Sequence, residues 1–374
     1  MEIYLVGGAV RDKLLNIPVK DKDYLVVGSS PQEMLDLGFK PIGNDFPVFL
    51  HPKTKEEYAL ARTERKDGTG HKGFIFYASQ EVKLEQDLER RDITINAIAL
   101  DNNNNYIDPF NGIDDLKNRV IRHVSPAFEE DPLRVLRVAR FKAKLNSFSI
   151  HDETLNLMHK IAESGEIQTL SSERVMIELL RGFEQEDAFS MLEVLSNCGA
   201  IGLIFPEIDF KKNKEKIKKI LSLSHHLCAS SPNKRLLLFL FIINFDKNKL
   251  DNKIYENIKK LLLPSSEKKL IELIEKNSNI LINFLDLEHK KQLDCLYGCD
   301  FFRRPKIFRE VIDILELVLK GNRKSSKSME DTRKYVNLYQ DLINGHQNKI
   351  DKTLSGQEIK KVIYDERLLL LKKL

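Results

Sequence analysis

The chain has few cysteines and no long apolar run, and each shortage argues against a class of protein. Its net charge is also small, which by itself decides little. Its four cysteines form no Cys-x-x-Cys pair, which argues against a zinc site and favours a reduced, cytoplasmic protein with unpaired thiols. The longest apolar run, Leu236 to Ile243, has 8 residues, far fewer than a membrane span needs. The sequence opens with no charged and apolar signal segment, so neither secretion nor membrane attachment is expected.

The overall balance is that of an ordered protein of more than one domain. Hydrophobic residues make up 42% of the chain and charged residues 31%, which is typical of folded proteins. The net charge of +4 permits a polyanionic partner without requiring one. Because 374 residues exceed what one hydrophobic core usually holds, two or three domains are expected. The oligomeric state is left open, and a monomer is compatible with the sequence.

Two carboxylates stand at the start of a predicted strand. Asp21 and Asp23 are two residues apart, and the aromatic and β-branched run Tyr24–Val27 favours a strand. Side chains two apart on a strand share a face, so both carboxylates are expected to point the same way. Their mutual repulsion is relieved by a hard divalent cation with oxygen ligands. The pattern alone is also common on protein surfaces.

A pair of glycines lies upstream of this acidic pair. The segment from Leu5 to Asp12 is predicted to run from a strand through Gly7 and Gly8 into a short helix. Glycines let backbone N–H groups approach a phosphate closely, as does a helix N-terminus. A phosphate site beside a metal site predicts nucleotidyl transfer.

A third acidic residue, Glu57, opens the predicted strand that ends at Arg62. Its carboxylate is a candidate metal ligand or a group that polarises the attacking hydroxyl. An equally good interpretation is a solvent-facing glutamate beside Glu56.

A second cluster of charged and polar residues, after the glycines and carboxylates of residues 7–23, runs from Leu88 to Ala97. Arg90 and Arg91 offer cationic donors for a triphosphate, and Asp92 and Asn96 offer short polar groups for a sugar hydroxyl. The alternative is that the arginines are surface charges and that Asp92 only caps the following turn.

A third cluster runs from Glu129 to Phe141. Asp131 followed by Pro132 is typical of a helix start. The next helix carries arginines every third position, which places them on one slanted ridge. Such a ridge repels itself unless acidic side chains or a bound anion lie against it, and a triphosphate fits that role. The ridge consists of Arg134, Arg137 and Arg140.

The pattern of apolar residues predicts an α+β head followed by helices only. Short strands with few crossover helices favour α+β over a doubly wound sheet. The predicted strands are Ile3–Val6, Tyr24–Val27, Val48–His51, Glu57–Arg62, Ile98–Asp101 and Val120–Val124. The predicted helices of the head are Val10–Leu15, Pro31–Leu37 and Val82–Arg91, with a mobile loop at Lys66–Gly73 and a surface turn at Asn102–Asn105.

From Glu129 onward, the apolar residues recur with the spacing of an α-helix. The predicted domains are 1–122, a catalytic head; 123–210, a helical neck that recognises the base; and 211–374, a helical body and tail. The predicted helices are Pro132–Asn146, Thr154–Ser164, Ser171–Phe183, Ala188–Asn197, Lys211–Ser224, Lys234–Ile243, Tyr255–Leu262, Ser266–Lys276, Lys290–Tyr297, Pro305–Leu319 and Thr332–Ile343.

The motifs in this order resemble those of the bacterial tRNA nucleotidyltransferases, the CCA-adding enzymes of the class II nucleotidyltransferase and poly(A) polymerase superfamily. The strong resemblance covers about residues 1–210. It is carried by GGAVRD (7–12), DKD (21–23), EYALARTER (57–65), ERRDITINA (89–97), YIDPFNGIDDL (106–116) and EEDPLRVLRVARF (129–141), with SSERVMIE (171–178) and CGAIGLIFPEID (198–209) further on.

The resemblance implies a polymerase-β-like head with a mixed sheet, then helical neck, body and tail. It implies Mg²⁺ held by Asp21 and Asp23, and a nucleotide held by Gly8, Arg11 and Arg91. It also implies that Asp131 and Arg134 read the base, with Arg137 and Arg140 in support. The partners implied are tRNA, CTP and ATP, and the reaction is addition of CCA to tRNA 3′ ends with release of pyrophosphate.

Three other activities stay open at this stage. A poly(A) polymerase or an enzyme that adds only A would use the same residues, although the loop TERKDGTGHKGF (63–74) favours CCA addition. A non-catalytic RNA-binding protein of the same fold is the alternative from another class. Some relatives carry a metal-dependent HD phosphohydrolase domain, but the only His-Asp dipeptide here, His151-Asp152, is predicted to start a helix. We therefore expect no phosphatase activity.

Overall fold

A computed structural model describes most of the chain as two compact units, Met1–Phe210 and Lys211–Leu374. The described residues are 1–42, 48–66, 74–206, 208–228, 231–246, 249–250, 263–322, 326–346 and 355–374. Within these ranges, no helix combines the length and the apolar character needed to cross a lipid bilayer.

The first unit is built on a mixed sheet of seven strands. Their order is β3-β4-β5-β2-β1-β8-β9, and every neighbouring pair is antiparallel except β2 and β5. A separate hairpin joins β6 to β7. The strands are β1 (Glu2–Val6), β2 (Asp23–Val27), β3 (Lys40–Ile42), β4 (Val48–Leu50), β5 (Glu57–Leu60), β6 (Arg62–Lys66), β7 (Phe74–Ala78), β8 (Ala99–Leu100) and β9 (Tyr106–Ile107).

Both faces of the sheet are buried under apolar clusters. Because side chains alternate along β2, successive residues of this strand face different clusters. Leu25 packs with Leu84 and Leu88 in one apolar cluster, whereas Val26 packs with Met34 in another. Because side chains alternate along a strand, Asp23 lies on the same face as Leu25. Its register partners are Val6 on β1 and Glu57 on β5.

Short helices cover this sheet, and Gly7 makes the sharp turn between β1 and the first of them. Gly7 has a φ of 72°, which is strained for residues with a side chain, and a Cβ there would lie 3.1 Å from Arg91 Nη1. The helices of the head are α1 (Gly8–Leu14), α2 (Pro31–Asp36), α3 (Leu84–Glu89) and α4 (Gly112–Asn118).

The rest of the first unit is helical apart from the parallel pair β10 (Val120–Ile121) and β11 (Ser149–Ile150). The helix α5 (Leu133–Lys144) packs along its buried face against α7 (Ser172–Phe183) and α8 (Ala188–Asn197). This helix is amphipathic, with Val135, Val138 and Ala139 fully buried while the arginines lie along one side. The helices are α5 (Leu133–Lys144), α6 (Asp152–Glu163), α7 (Ser172–Phe183), α8 (Ala188–Asn197) and α9 (Ile201–Ile204).

The second unit is helical around an apolar core that includes Phe284, Phe301 and Phe308, apart from two short paired strands, β12 (Phe245–Asp246) and β13 (Lys249–Leu250). Its helices are α10 (Phe210–Cys228), which starts at the last residue of the first unit, α11 (Pro232–Asn244), α12 (Ser265–Ile282), α13 (His289–Gly298), α14 (Pro305–Gly321), α15 (Lys327–Gly345) and α16 (Gly356–Leu371).

The α+β head followed by helices confirms the predicted fold class, whereas several element bounds were wrong. The strand predicted at Glu57–Arg62 breaks at Ala61, whose amide bonds Val26, and β6 begins as a new hairpin. The helix α16 was missed, although Ser355 and Glu358 form a capping box at its start. The turn at Asn102–Asn105 is confirmed, with Asp101 accepting the backbone N–H groups of Asn103 and Asn105.

Two further predictions lie outside the described residues. They are the helix at Tyr255–Leu262 and, apart from Lys66, the loop at Lys66–Gly73. The His151-Asp152 dipeptide starts a helix as predicted, because His151 is the N-cap of α6 and its ring accepts the Glu153 N–H.

Candidate active site

A cleft of about 490 Å³ opens in the first unit between the sheet, α1, α3 and α5. Its lining contains nine cationic side chains against three carboxylates, so it favours a polyanion. All eight residues predicted to bind the nucleotide line it, and Asp23 joins them. The eight are Gly8, Arg11, Arg91, Asp92, Asp131, Arg134, Arg137 and Arg140.

The acidic pair lies at the edge of this cleft, where β2 begins. Partial desolvation raises the pKa of Asp23, the neighbouring Asp21 carboxylate raises it further, and Arg91 opposes both. Asp23 lines the cleft, whereas Asp21 and Glu57 do not. Over the described ranges, no three histidine, cysteine or acidic side chains come together as a metal-binding group, so Glu57 does not complete a triad with the aspartates.

The side chain of Arg11 is buried in the wall of the cleft and held on three sides. Nη1 donates to Asn96 Oδ1 at 2.7 Å, and Nη2 donates to Asp12 Oδ1 at 2.8 Å. The guanidinium also lies 5.6 Å from the centre of the Phe141 ring. These contacts fix its orientation before any ligand arrives.

A buried carboxylate orients the two adjacent arginines of the second cluster. Asp87 is fully buried, and it accepts from Arg90 Nη2 at 2.8 Å and Arg91 Nη2 at 3.2 Å. Burial alone would raise the pKa of Asp87, but the two guanidinium groups outweigh it and hold the pKa below its ordinary value. Arg91 also donates to the Asn96 carbonyl at 3.3 Å.

A second buried carboxylate, Asp92, pairs with the ridge of α5. Arg137 donates to Asp92 Oδ2 through Nε at 2.8 Å, and its Nη2 lies 2.7 Å from the same oxygen. Burial opposes ionisation, yet Arg137 and Asn96 outweigh it and lower the pKa of Asp92 to about 2. Asp92 Oδ1 also accepts the Ile93 N–H, so the capping role considered for it is present as well.

The third arginine of the ridge pairs with a residue that the sequence reasoning did not assign. Arg140 Nε donates to Glu178 Oε2 at 2.5 Å, and Glu178 also lies 3.7 Å from Arg137 Nη1. Glu178 is only 3% exposed. Acidic side chains therefore lie against the arginine ridge. This is one of the two arrangements expected to offset the repulsion among its arginines, the other being a bound anion.

The residues predicted to read a base are held by other groups in this structure. Asp131 Oδ1 accepts the Leu133 N–H at 3.1 Å, and its Oδ2 accepts from Arg174 Nη2 at 3.0 Å. Arg134 donates to the carbonyls of Ala127 at 2.7 Å and Arg90 at 2.6 Å. The helix α5 begins at Leu133. Asp131, two residues before it, therefore accepts a backbone N–H of the first helical turn.

Sequence reasoning missed three residues that organise the cleft, although each of them carries a sequence signal. Arg174 and Glu178 both belong to the motif at 171–178 and are four residues apart, so they share one face of α7. Asp87 is three and four residues before Arg90 and Arg91, the spacing of helical ion pairs.

Comparison with known families agrees with this geometry. Residues 3–122 match the family described as the poly A polymerase head domain. Residues 147–212 match a second family, described as a probable RNA and SrmB-binding site of polymerase A. Together the matches confirm the resemblance to the nucleotidyltransferase and poly(A) polymerase superfamily that the motifs carry.

A curated relative is similar over about half of this chain. The multifunctional CCA protein of Methylobacillus flagellatus is 59% identical over 209 residues, which is 56% of this chain. The match covers 51% of that relative, so the chain spans about half the length of the curated protein it matches.

Solved structures resemble the fold over almost the whole chain. A CCA-adding enzyme in apo form II has a TM-score of 0.71 and 23% identity, covering 99% of this chain and 88% of that one. The CCA-adding enzyme of Thermotoga maritima, complexed with tRNA, has a TM-score of 0.65 and 23% identity, with coverages of 100% and 87%. That of Bacillus stearothermophilus, complexed with CTP, has a TM-score of 0.67 and 22% identity, with coverages of 99% and 89%.

Proposed function

We propose that this protein is a tRNA nucleotidyltransferase that adds CCA to tRNA 3′ ends from CTP and ATP without a nucleic-acid template. The observation that carries the proposal is the cleft, which nine cations line together with Asp23 of the acidic pair, in a chain whose residues 3–122 match the poly A polymerase head domain. The tRNA 3′-hydroxyl would attack the α-phosphate of the nucleotide, forming a phosphodiester bond and releasing pyrophosphate.

The residues at the cleft edge fit a divalent metal ion, and Mg²⁺ is the ion proposed. Asp21 and Asp23 supply only oxygen donors, which suit a hard cation. Partial burial and the neighbouring Asp21 carboxylate raise the pKa of Asp23 despite Arg91, and a bound cation would favour its ionised form. When bound, Mg²⁺ would activate the attacking hydroxyl and stabilise charge on the transferring phosphate. Glu57, a strand partner of Asp23, is proposed to act on the hydroxyl rather than as a third ligand.

The arginines of the cleft are proposed to hold the triphosphate. Arg11, Arg91 and Arg140 line the cleft, and each guanidinium is already oriented by a protein oxygen. Groups fixed in advance lose little entropy when the ligand binds, which favours binding in one geometry. Gly8 lets the backbone approach a phosphate closely, because it carries no side chain at the mouth of the cleft.

Asp131 and Arg134 are proposed to select the base. Cytosine and adenine each present an amino donor beside a ring-nitrogen acceptor, so one carboxylate and one guanidinium satisfy both. Uracil and guanine present the reverse pattern, so neither group could form its hydrogen bond to them, which favours cytosine and adenine. In the structure Arg174 occupies one oxygen of Asp131, so an incoming base would share or replace that contact.

Incubation with a tRNA transcript that ends before CCA tests the proposal. Purified protein is given Mg²⁺ with labelled CTP, with labelled ATP, and with both, and the products are separated at single-nucleotide length. We expect two C residues and then one A, followed by a stop. A transcript that ends in CC should accept one A and no further nucleotide.

Other products would change the assignment. The head-domain family is described by poly(A) polymerase, so long A tails would favour that activity. Addition of A only after a preformed CC would identify an A-adding enzyme. Absence of any product, with tRNA still bound, would favour the non-catalytic RNA-binding alternative.

A further inference from the structure

Residues 211–374 contain a cavity of their own, of about 610 Å³, between the C-terminal end of α13, the segment that follows it and the middle of α16. Three aromatic rings and three cations dominate its lining. The rings are those of Tyr297, Phe302 and Tyr364, and the cations are Arg303, Lys360 and Arg367. The cavity contains none of the residues used in the proposed reaction.

The aromatic rings and one guanidinium form a layered surface. The Tyr297 and Tyr364 rings are nearly parallel, with their centres 5.7 Å apart and their planes 17° apart. Arg367 lies over two rings, with Cζ 3.8 Å from the centre of Phe302 and 5.5 Å from that of Tyr297. Its Nη1 donates to the Tyr297 hydroxyl at 2.8 Å, which holds the guanidinium in place. Flat groups fixed in this way form a stacking platform.

The charges of the cavity leave it favourable to an anion. Tyr364 donates its hydroxyl to Asp294 at 2.7 Å, and this hydrogen bond raises the pKa of Tyr364 to about 12, so the ring stays neutral. The second carboxylate, Asp300, pairs with Arg304 at 3.4 Å. Lys360 and Arg303 are exposed, and neither has a carboxylate partner within the described part of the chain.

We propose that this cavity binds an unpaired nucleotide of an RNA, with the base stacked on the aromatic platform and the phosphate held by Lys360 and Arg303. Base stacking on aromatic side chains and arginine planes, next to cations for the backbone, is how proteins bind unpaired nucleotides. A small organic cation fits less well, because the three cations that line the cavity would repel it. The inference rests on the proposed function only for its choice of tRNA as the RNA.

The absence of tryptophan from the chain permits a direct test of stacking. The variant Tyr364→Trp carries a single tryptophan in the cavity, and stacking of a base on it would quench its fluorescence. The matched control is Leu338→Trp, at an exposed position of α15 that does not line the cavity. Titration with a tRNA transcript should quench Tyr364→Trp, with the midpoint found by anisotropy of labelled tRNA, and leave Leu338→Trp unchanged.

A second measurement keeps the proposal testable if the tryptophan disturbs packing. Lys360→Ala and Arg303→Ala change exposed side chains, so folding should be unaffected. Together they should weaken tRNA binding about tenfold, and Tyr364→Ala should have a similar effect. Arg309→Ala removes an exposed charge of α14 outside the cavity and serves as the control. A fully paired RNA duplex should bind the parent and Tyr364→Ala equally.

Two results would overturn the inference. One is tRNA binding by Tyr364→Trp without quenching, and the other is unchanged tRNA affinity in both Tyr364→Ala and the double variant. Each result is separable from failure of the proposed function, because CTP transfer by the parent is measured on the same RNA. A parent that binds tRNA through this cavity but transfers no nucleotide would refute the proposed function alone.

Discussion

Two groups of carboxylates in the first unit differ in what surrounds them. Asp87 and Asp92 are buried among arginines, and both have a lowered pKa despite burial. Asp23 stands beside Asp21 at the start of a strand and has a raised pKa. The same side chain is thus stabilised as an anion in one place and destabilised in the other.

The difference separates the carboxylates that orient the arginines of the cleft from the pair that we propose binds a metal ion. The buried carboxylates neutralise and orient arginines, so they are satisfied within the protein. The Asp21 and Asp23 carboxylates repel each other, and Arg91 offsets this only in part, because the pKa of Asp23 stays raised. A raised pKa at an exposed cleft edge is therefore the better indicator of a reactive site here.

The largest expected effect belongs to the exposed pair. Asp23→Asn should lower the rate of CTP transfer by at least about 1,000-fold, since a metal ligand is lost. The variant should melt at or above the temperature of the parent, because the substitution removes charge repulsion. Mg²⁺ should raise the melting temperature of the parent but not of the variant.

Asp114→Asn is the control for that comparison, because Asp114 is an exposed aspartate of α4 that pairs with Lys117 and does not line the cleft. It should behave like the parent in both measurements. Wild-type transfer by Asp23→Asn would remove the metal site from the proposal.

The next effect concerns stability rather than turnover. Asp92→Ala leaves Arg137 without its closest counterion in the cleft wall, and breaking a buried ion pair costs about 3 kcal/mol of unfolding free energy. Denaturant unfolding of the parent and the variant measures the loss. Asp114→Ala breaks an exposed pair and should cost less than about 1 kcal/mol. Equal losses in the two variants would mean that burial of the pair does not matter.

The smallest effect is a dependence of the unfolding free energy on pH, with opposite signs for Asp92 and Asp23. Because the pKa of Asp92 is lowered from 3.8 to about 2, it contributes about 2 kcal/mol at neutral pH, lost as the pH falls from about 4 to below 2. The difference in unfolding free energy between the parent and Asp92→Asn should shrink accordingly.

Asp23 should behave in the opposite way, since its pKa is raised in the folded state. Its ionisation destabilises the fold, so lowering the pH should make the parent more stable relative to Asp23→Asn. The same sign for both aspartates would contradict the contrast between the buried and the exposed carboxylates.

Local patterns in the sequence determined the main features of the site. The α+β head, the helices after Glu129 and the strand behind Asp23 follow from periodicity and residue type, which act over a few neighbours. The residues named for nucleotide binding could be found for the same reason, since each lies in a short motif with an unusual density of charge. The structure brings all eight into one cleft.

Only the tertiary structure decided which charges meet. Arg140 pairs with Glu178 and Asp131 with Arg174 across 38 and 43 positions of sequence, separations at which no local spacing rule applies. The repulsion between Asp21 and Asp23 could be expected from their spacing in the chain. The burial of Asp92 and its pairing with Arg137, 45 positions away, could not. Residue type and spacing identified the groups, and packing assigned each group its charge environment.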